Sequence, residues 1–154
     1  MTVRACGIDF GTSNSAVSMA GEDVSLVNVE GQNKTLPTAL FFENNNSRPF
    51  FGQKAQQEYM GGGDGRFMRS LKRVLGTSLM TQKTIVNNRA LEFDAIIGLF
   101  IAHLKEKIDA KNEFEGIVYQ TKGIIENDKI KEKLDEKDIT SIKSIIKEYE
   151  EWLN

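Results

Sequence analysis

The chain has 154 residues, 27% of them charged, and a formal net charge of -2. That length gives one domain, or one domain with an appendage, whose core needs neither disulfide nor metal, and the near-neutral charge speaks against nucleic acid or an acidic membrane surface as partner. With a lone Cys6, no apolar stretch of spanning length and no signal-peptide core near the N-terminus, the expectation is a soluble cytoplasmic protein.

The first elements read as a hairpin sheet. "VRACGIDF" and "SAVSMA" are short apolar runs separated by a Gly/Thr/Ser/Asn turn, and "DVSLVNV" alternates with period two. "LPTALFF" is a fourth strand, with Pro37 near its start, where a missing ladder donor matters least. After Gly52 the pattern predicts helices at 53–60 and again at 66–75, followed by a small hairpin from "QKTIV" through "NNR" to "ALEF". "DAIIGLFIAHLKEKI" is the clearest helix, with Ile97, Ile101, Leu104 and Ile108 on one face. Gly98 inside it costs roughly 1 kcal/mol against Ala, which suggests a close approach at that point.

Near residue 110 the composition changes. Residues 1–110 hold 12 Lys/Arg and 11 Asp/Glu with both prolines, whereas residues 111–154 hold 8 Lys, 11 Asp/Glu and no Arg or Pro. Such a shift marks a domain boundary or a switch to helix alone. Two helices are expected there. Phe114, Ile117, Val118, Thr121 and Ile125 line the first, and the second starts with Asp135 as N-cap, Asp138 at N3 and a Leu134–Ile139 staple. Its seam is Ile139, Ile142, Ile146, Tyr149 and Leu153, so the pair reads as an antiparallel helical hairpin.

The chemistry concentrates in "GIDFGTSNS", Gly7 to Ser15. A turn of Gly11, Thr12, Ser13 and Asn14 offers backbone N–H groups and small side chains to an anion, and Asp9 sets a carboxylate beside it for a hydrated Mg²⁺. On this stretch alone, an ordinary Gly-containing hairpin with a solvated Asp fits equally well. It is not a P-loop, because no Lys-Ser/Thr pair follows, nor a dinucleotide fingerprint, because no helix follows. An aspartic-protease motif would carry a hydroxyl residue where Phe10 stands, and a kinase "DFG" would follow a catalytic loop.

"GIDFGTSNSAV", "GQNKTLPTALFF", "FGQKAQQEYM" and "RFMRSLKRVLG" follow in an order and spacing that resemble the start of the 70-kilodalton heat-shock chaperones, closest to the divergent bacterial DnaK-like branch called YegD. The resemblance covers residues 3–110. It implies part of an actin-like, ribonuclease H-like ATPase domain, of α/β family origin, here as an α+β fold with a small antiparallel sheet. It also implies ATP/ADP and Mg as cofactors. The family's Mg-proximal aspartate, reached through water, falls on Asp9, and its phosphate-turn residues fall on Gly11, Thr12 and Ser13, with Asn14 adjoining. The lysine that positions the attacking water falls on Lys72, which without the resemblance reads as a solvated helix lysine.

Residues 111–154 resemble the helical lid of the same chaperones, in the "KN" and "E" of its opening, a central "LDEKD" and a closing "EWL". The expected domains are therefore an ATPase-domain fragment at 1–110 and a lid-like hairpin at 111–154. Several hundred residues separate these regions in the family, among them the second phosphate loop, the second ATPase lobe and the peptide-binding sandwich. The expectation is a truncated or chimeric chaperone-family protein, with at most partial phosphate binding and little autonomous ATP hydrolysis or peptide clamping. The alternative is a non-enzymatic module that self-associates, or docks on chaperone-family proteins, through the hairpin and an exposed sheet edge. Lesser signals read blandly: His103 as a solvated histidine at a charged helix end, "GGGDG" as a flexible loop, Trp152 with Tyr149 as hairpin packing, and the charge-dense 126–138 stretch as a solvated turn.

Overall fold

The computed structural model describes residues 5–21, 23–127 and 133–153. The chain divides into two compact units, Met1–Ile108 and Asp109–Asn154. The fold is α+β, built from small antiparallel sheets and helices.

In the first unit, β1 (Ala5–Phe10) pairs with β2 (Asn14–Ala20) in unbroken register from Ala5↔Ala20 to Phe10↔Ser15. The other edge of β2 is shared in tandem by β3 (Val24–Leu26) and β4 (Thr35–Pro37). Alternation decides the faces: Ser15, Val17 and Met19 of β2 are buried, and beyond β3 Val27 and Val29 are buried too. The apolar run "LPTALFF" does not form one strand. The chain crosses at Thr38 from the first sheet into β5 (Ala39–Glu43), the central strand of a second sheet between β6 (Phe50–Phe51) and β7 (Gly65–Arg69). Leu40 and Phe42 of β5 enter the main core, whereas Phe41 points away to meet Tyr59 of α1 (Gly52–Met60) edge-on, with ring centroids 6.0 Å apart.

The helix expected at 66–75 is absent. Gly65–Arg69 pairs along the whole of β5, and Ser70, at φ 57°, ends that strand and starts a 3-10 turn, Leu71–Val74. The free edge of β5 and the left-handed Ser70 override the local helical pattern. β8 (Lys83–Val86) and β9 (Arg89–Glu92) form the expected hairpin around Asn87 and Asn88, both at positive φ as a primed two-residue turn demands. "GGGDG" joins α1 to β7 and is tied down, since Asp64 accepts hydrogen bonds from the backbone N–H and side-chain amide of Asn44 at 2.8 and 3.0 Å.

α2 (Phe93–Glu126) is a single helix of 34 residues. Its first part buries Ile96, Ile97, Phe100, Leu104 and Ile108 against the two sheets, together with Val17, Leu36, Leu40 and Leu71. Gly98 is exposed, and nothing lies within 4 Å of a methyl group placed there, so the close approach expected at this glycine is not made. The separate helix expected after residue 110 is instead a continuation of α2, because "DAKN" at 109–112 contains no breaker.

In the second unit, α3 (Glu136–Leu153) begins with Asp135, whose carbonyl accepts the N–H groups of Asp138 and Ile139 at 2.9 and 3.1 Å. Val118 and Ile125 of α2 bury against Ile146, with Phe114 and Ile142 at the margin. Phe114 meets Tyr149 edge-on at 5.1 Å, and Lys122 pairs with Glu150. Ile117, expected on the packed face, is exposed. The side chains of Trp152 and Leu153, and residues 128–132 of the charge-dense stretch, lie outside the described residues.

Candidate functional site

The β1–β2 register closes at Phe10↔Ser15 and leaves Gly11–Asn14 to turn the chain. A methyl group at Gly11 would collide with the carbonyl oxygen of Asn14, so this tight turn admits only glycine there. Behind the turn stands Thr38, at the crossing between the two sheets. Its N–H donates to the Ser13 carbonyl at 2.8 Å, and its hydroxyl lies 2.8 Å from the Ser15 hydroxyl. Both hydroxyls belong to residues only 1% exposed, and one donates to the other in a buried site, so each finds its partner there. The turn is therefore braced from the protein side.

Its other side is open. Asp9, Ser13 and Asn14 are exposed, and Gly11 and Thr12 are half-buried. Among the described residues, no hydrogen bond or ion pair engages the side chains of Asp9, Thr12, Ser13 or Asn14. A carboxylate thus stands next to a group of small polar side chains, all available to a ligand. That donor set suits an anion held by the turn and a hydrated cation held by Asp9.

Lys72 lies elsewhere, exposed on the 3-10 turn Leu71–Val74. Leu71 is buried in the core that also takes Val17 and Leu36, and Val74 packs against it. Lys72 is thereby fastened to the same body as the Gly11–Asn14 turn. Among the described residues, no hydrogen bond or ion pair joins it to Asp9 or to Gly11–Asn14.

The solvated His103 expected from the sequence is a misreading. Its ring stacks on Phe51 at 4.1 Å with the planes 4° apart, and burial lowers its pKa from the usual 6.5, assisted by Lys107 and opposed by Glu106 and Glu30. Its place between Phe100 and Lys107, three and four residues away on one helix face, was the available signal. The Ser15–Thr38 pair and the role of Glu30 gave no such signal. Glu30 caps α1 from outside the helix, accepting the N–H groups of Gln53 and Lys54 at 2.9 and 3.1 Å.

The Hsp70 protein family model matches residues 5–96, more than half of the chain and nearly all of the first unit. The chain belongs to the Hsp70 family. This Hsp70-family chain is 31% identical over 107 residues to the chaperone protein DnaK of Metamycoplasma hominis, an overlap covering 68% of this chain and 17% of that protein. It is 33% identical over 108 residues to the chaperone protein DnaK of Mycoplasmopsis agalactiae, again 68% of this chain and 17% of the relative. A chaperone protein HscA homolog of Rickettsia bellii is 33% identical over 88 residues, 56% of this chain and 12% of that relative. The Hsp70-family chain thus spans less than a fifth of the length of the curated relatives it matches. The β1–β2 turn, Asp9 and Lys72 all fall inside the span that matches the family model. Among the described residues, no helix is long and apolar enough to cross a membrane.

Proposed function

We propose that the Gly11–Asn14 turn of this Hsp70-family chain holds the phosphates of ATP or ADP, weakly and without appreciable autonomous turnover. The observation that carries this reading is the turn itself, braced from behind by Thr38 and Ser15 and open in front, with Asp9 beside it. Asp9 would hold a Mg²⁺ through its water shell, and the ion would supply charge neutralisation at the phosphates. Thr12, Ser13 and Asn14 would offer donors to phosphate oxygens. Lys72 would orient an attacking water in the complete family site. Phosphoryl transfer is mostly positioning and electrostatics, so groups that reach the phosphates from one side supply binding before they supply rate. Neither ATP hydrolysis nor peptide clamping is a property of this stretch by itself. Residues 111–154 are, in this reading, derived from the family's lid, and residues 1–110 from its ATPase domain.

Amide NMR with Mg-ADP tests the reading: shifts should concentrate at Asp9–Ser15 and disappear with Asp9→Ala. Shifts absent, or scattered and insensitive to Asp9→Ala, would remove phosphate binding from this turn.

A second reading, a self-associating or chaperone-docking module, is favoured by one observation. Among the described residues β1 pairs with β2 alone, and Ile8 of β1 and Val24 and Leu26 of β3 are exposed at 39%, 75% and 44%. An open edge beside apolar side chains is a template for pairing. Sedimentation across a wide concentration range separates the two readings: a concentration-independent monomer dismisses self-association, and a mass that rises with concentration supports it.

A further inference from the structure

A cavity of about 320 Å³ opens in the first unit beside the start of α1, separate from the phosphate-like turn. That volume lies within the range of small-ligand sites. Val29, Pro49, Phe50 and Phe51 give it an apolar, largely aromatic lining, in which His103 stacks on one face of Phe51 and the Lys54 ammonium lies 5.8 Å from the centre of the Phe50 ring. The lining charges are unbalanced. Glu30 is already engaged, since its two oxygens accept the Gln53 and Lys54 N–H groups and hold the start of α1. Lys54 pairs with Glu58 at 2.5 Å. Lys107 is different: it is half-buried in the wall, and among the described residues no carboxylate lies within ion-pair distance of it.

Two consequences converge on one ligand chemistry. A half-buried ammonium without a counter-ion favours an incoming anion. An aromatic floor favours a ring packed against it. A phosphate would call for several convergent donors and would leave the floor uncovered, and a neutral ring would leave Lys107 uncompensated. We propose that this cavity binds a small aromatic carboxylate, with the ring on Phe50 and Phe51 and the carboxylate toward Lys107. The site is independent of the nucleotide reading above.

His103 reports on occupancy. Burial first and Lys107 second favour its neutral form, and Glu106 and Glu30 act the other way, with Glu106 3.8 Å from Nδ1. Lys54, the remaining charge of the lining, is paired. An added carboxylate offsets Lys107 and favours the imidazolium, whereas a ring packed beside His103 buries it further and favours the neutral form, so the midpoint of His103 should stand higher with an aromatic carboxylate bound than with its uncharged amide.

The test is a titration of the whole chain with benzoate, benzamide and acetate, followed by amide and histidine-ring NMR. Benzoate is expected to shift Glu30, Phe51, His103 and Lys107 and to set the His103 midpoint above the one that benzamide gives. Benzamide, which keeps the ring and loses the charge, and acetate, which keeps the charge and loses the ring, should each bind at least roughly tenfold more weakly. Lys107→Gln should weaken benzoate by roughly tenfold with the melting temperature retained. The proposal is overturned by an equal response to benzamide, by a His103 midpoint no higher with benzoate than with benzamide, or by the absence of benzoate shifts at these residues. The benzoate–benzamide comparison on the parent protein decides the matter even if the Lys107 variant does not fold.

Discussion

Replacing Thr38 by Val keeps the shape of the side chain and removes one oxygen from the brace behind the turn. The Thr38 N–H still reaches the Ser13 carbonyl, so the perturbation is confined to the hydroxyl pair. Ser15, only 1% exposed, is then left with a buried hydroxyl and no partner. Such an orphan costs about 1–3 kcal/mol, against a smaller net gain from an intact bond. For a chain of this length a loss of about 2 kcal/mol lowers the melting temperature by about 4–8 °C. Ser15→Ala should cost a similar amount, because it orphans Thr38 instead. The double variant removes both polar groups and should cost less than the sum of the singles, by about 1 kcal/mol or more. Urea denaturation of the four proteins gives the cycle, and amide exchange at Gly11–Asn14 shows whether the turn loosens as the brace is cut. Single-variant costs that add within about 0.5 kcal/mol, or a Thr38→Val protein as stable as the parent, would refute the brace.

Other substitutions separate local geometry from composition. Gly98→Ala should stabilise the chain by about 1 kcal/mol in urea denaturation, because the added methyl group meets nothing in an exposed helix interior. Gly52→Ala should destabilise by about 1–3 kcal/mol, since φ is 61° there and the new Cβ would stand 2.8 Å from Glu30 Oε2, displacing the cap of α1. The folded state lowers the pKa of His103, so it favours the neutral ring; the associated stability is fully present above the unfolded value of 6.5 and declines as pH falls through 6.5 toward the folded value. Comparing the parent with His103→Gln between about pH 7.5 and about pH 5.5 should show the steeper loss in the parent, and identical slopes would contradict it.

Where the sequence carried its own local code, the structure follows it. The hairpins at β1–β2 and β8–β9 rest on short alternating or apolar runs bounded by Gly/Ser/Asn turns, and the buried face of α2 rests on steps of three and four. Residues 66–69 failed as a helix because strand pairing with β5 is a tertiary fact that no local window contains. "LPTALFF" failed as one strand because the crossing at Thr38 depends on two sheets meeting. The change in charge density near residue 110 falls where the two compact units divide, but the new helix expected beyond it is a continuation of α2, because backbone helicity responds to breakers and none stands there. At the candidate site, Asp9 and Gly11–Asn14 share one hairpin because they are neighbours in the chain. The Thr38 brace, the Glu30 cap and the His103–Phe51 stack join residues distant in sequence, and only folding brings them together.

Weak phosphate binding without turnover at the Gly11–Asn14 turn is the central proposal for this Hsp70-family chain. Calorimetric titration with Mg-ATP, run beside a phosphate-release assay on the same sample, tests this most directly. Weak, saturable heat that Asp9→Ala abolishes, with no release above the protein-free rate, is the predicted result. Micromolar affinity accompanied by steady turnover would contradict the claim, and so would heat unaffected by Asp9→Ala.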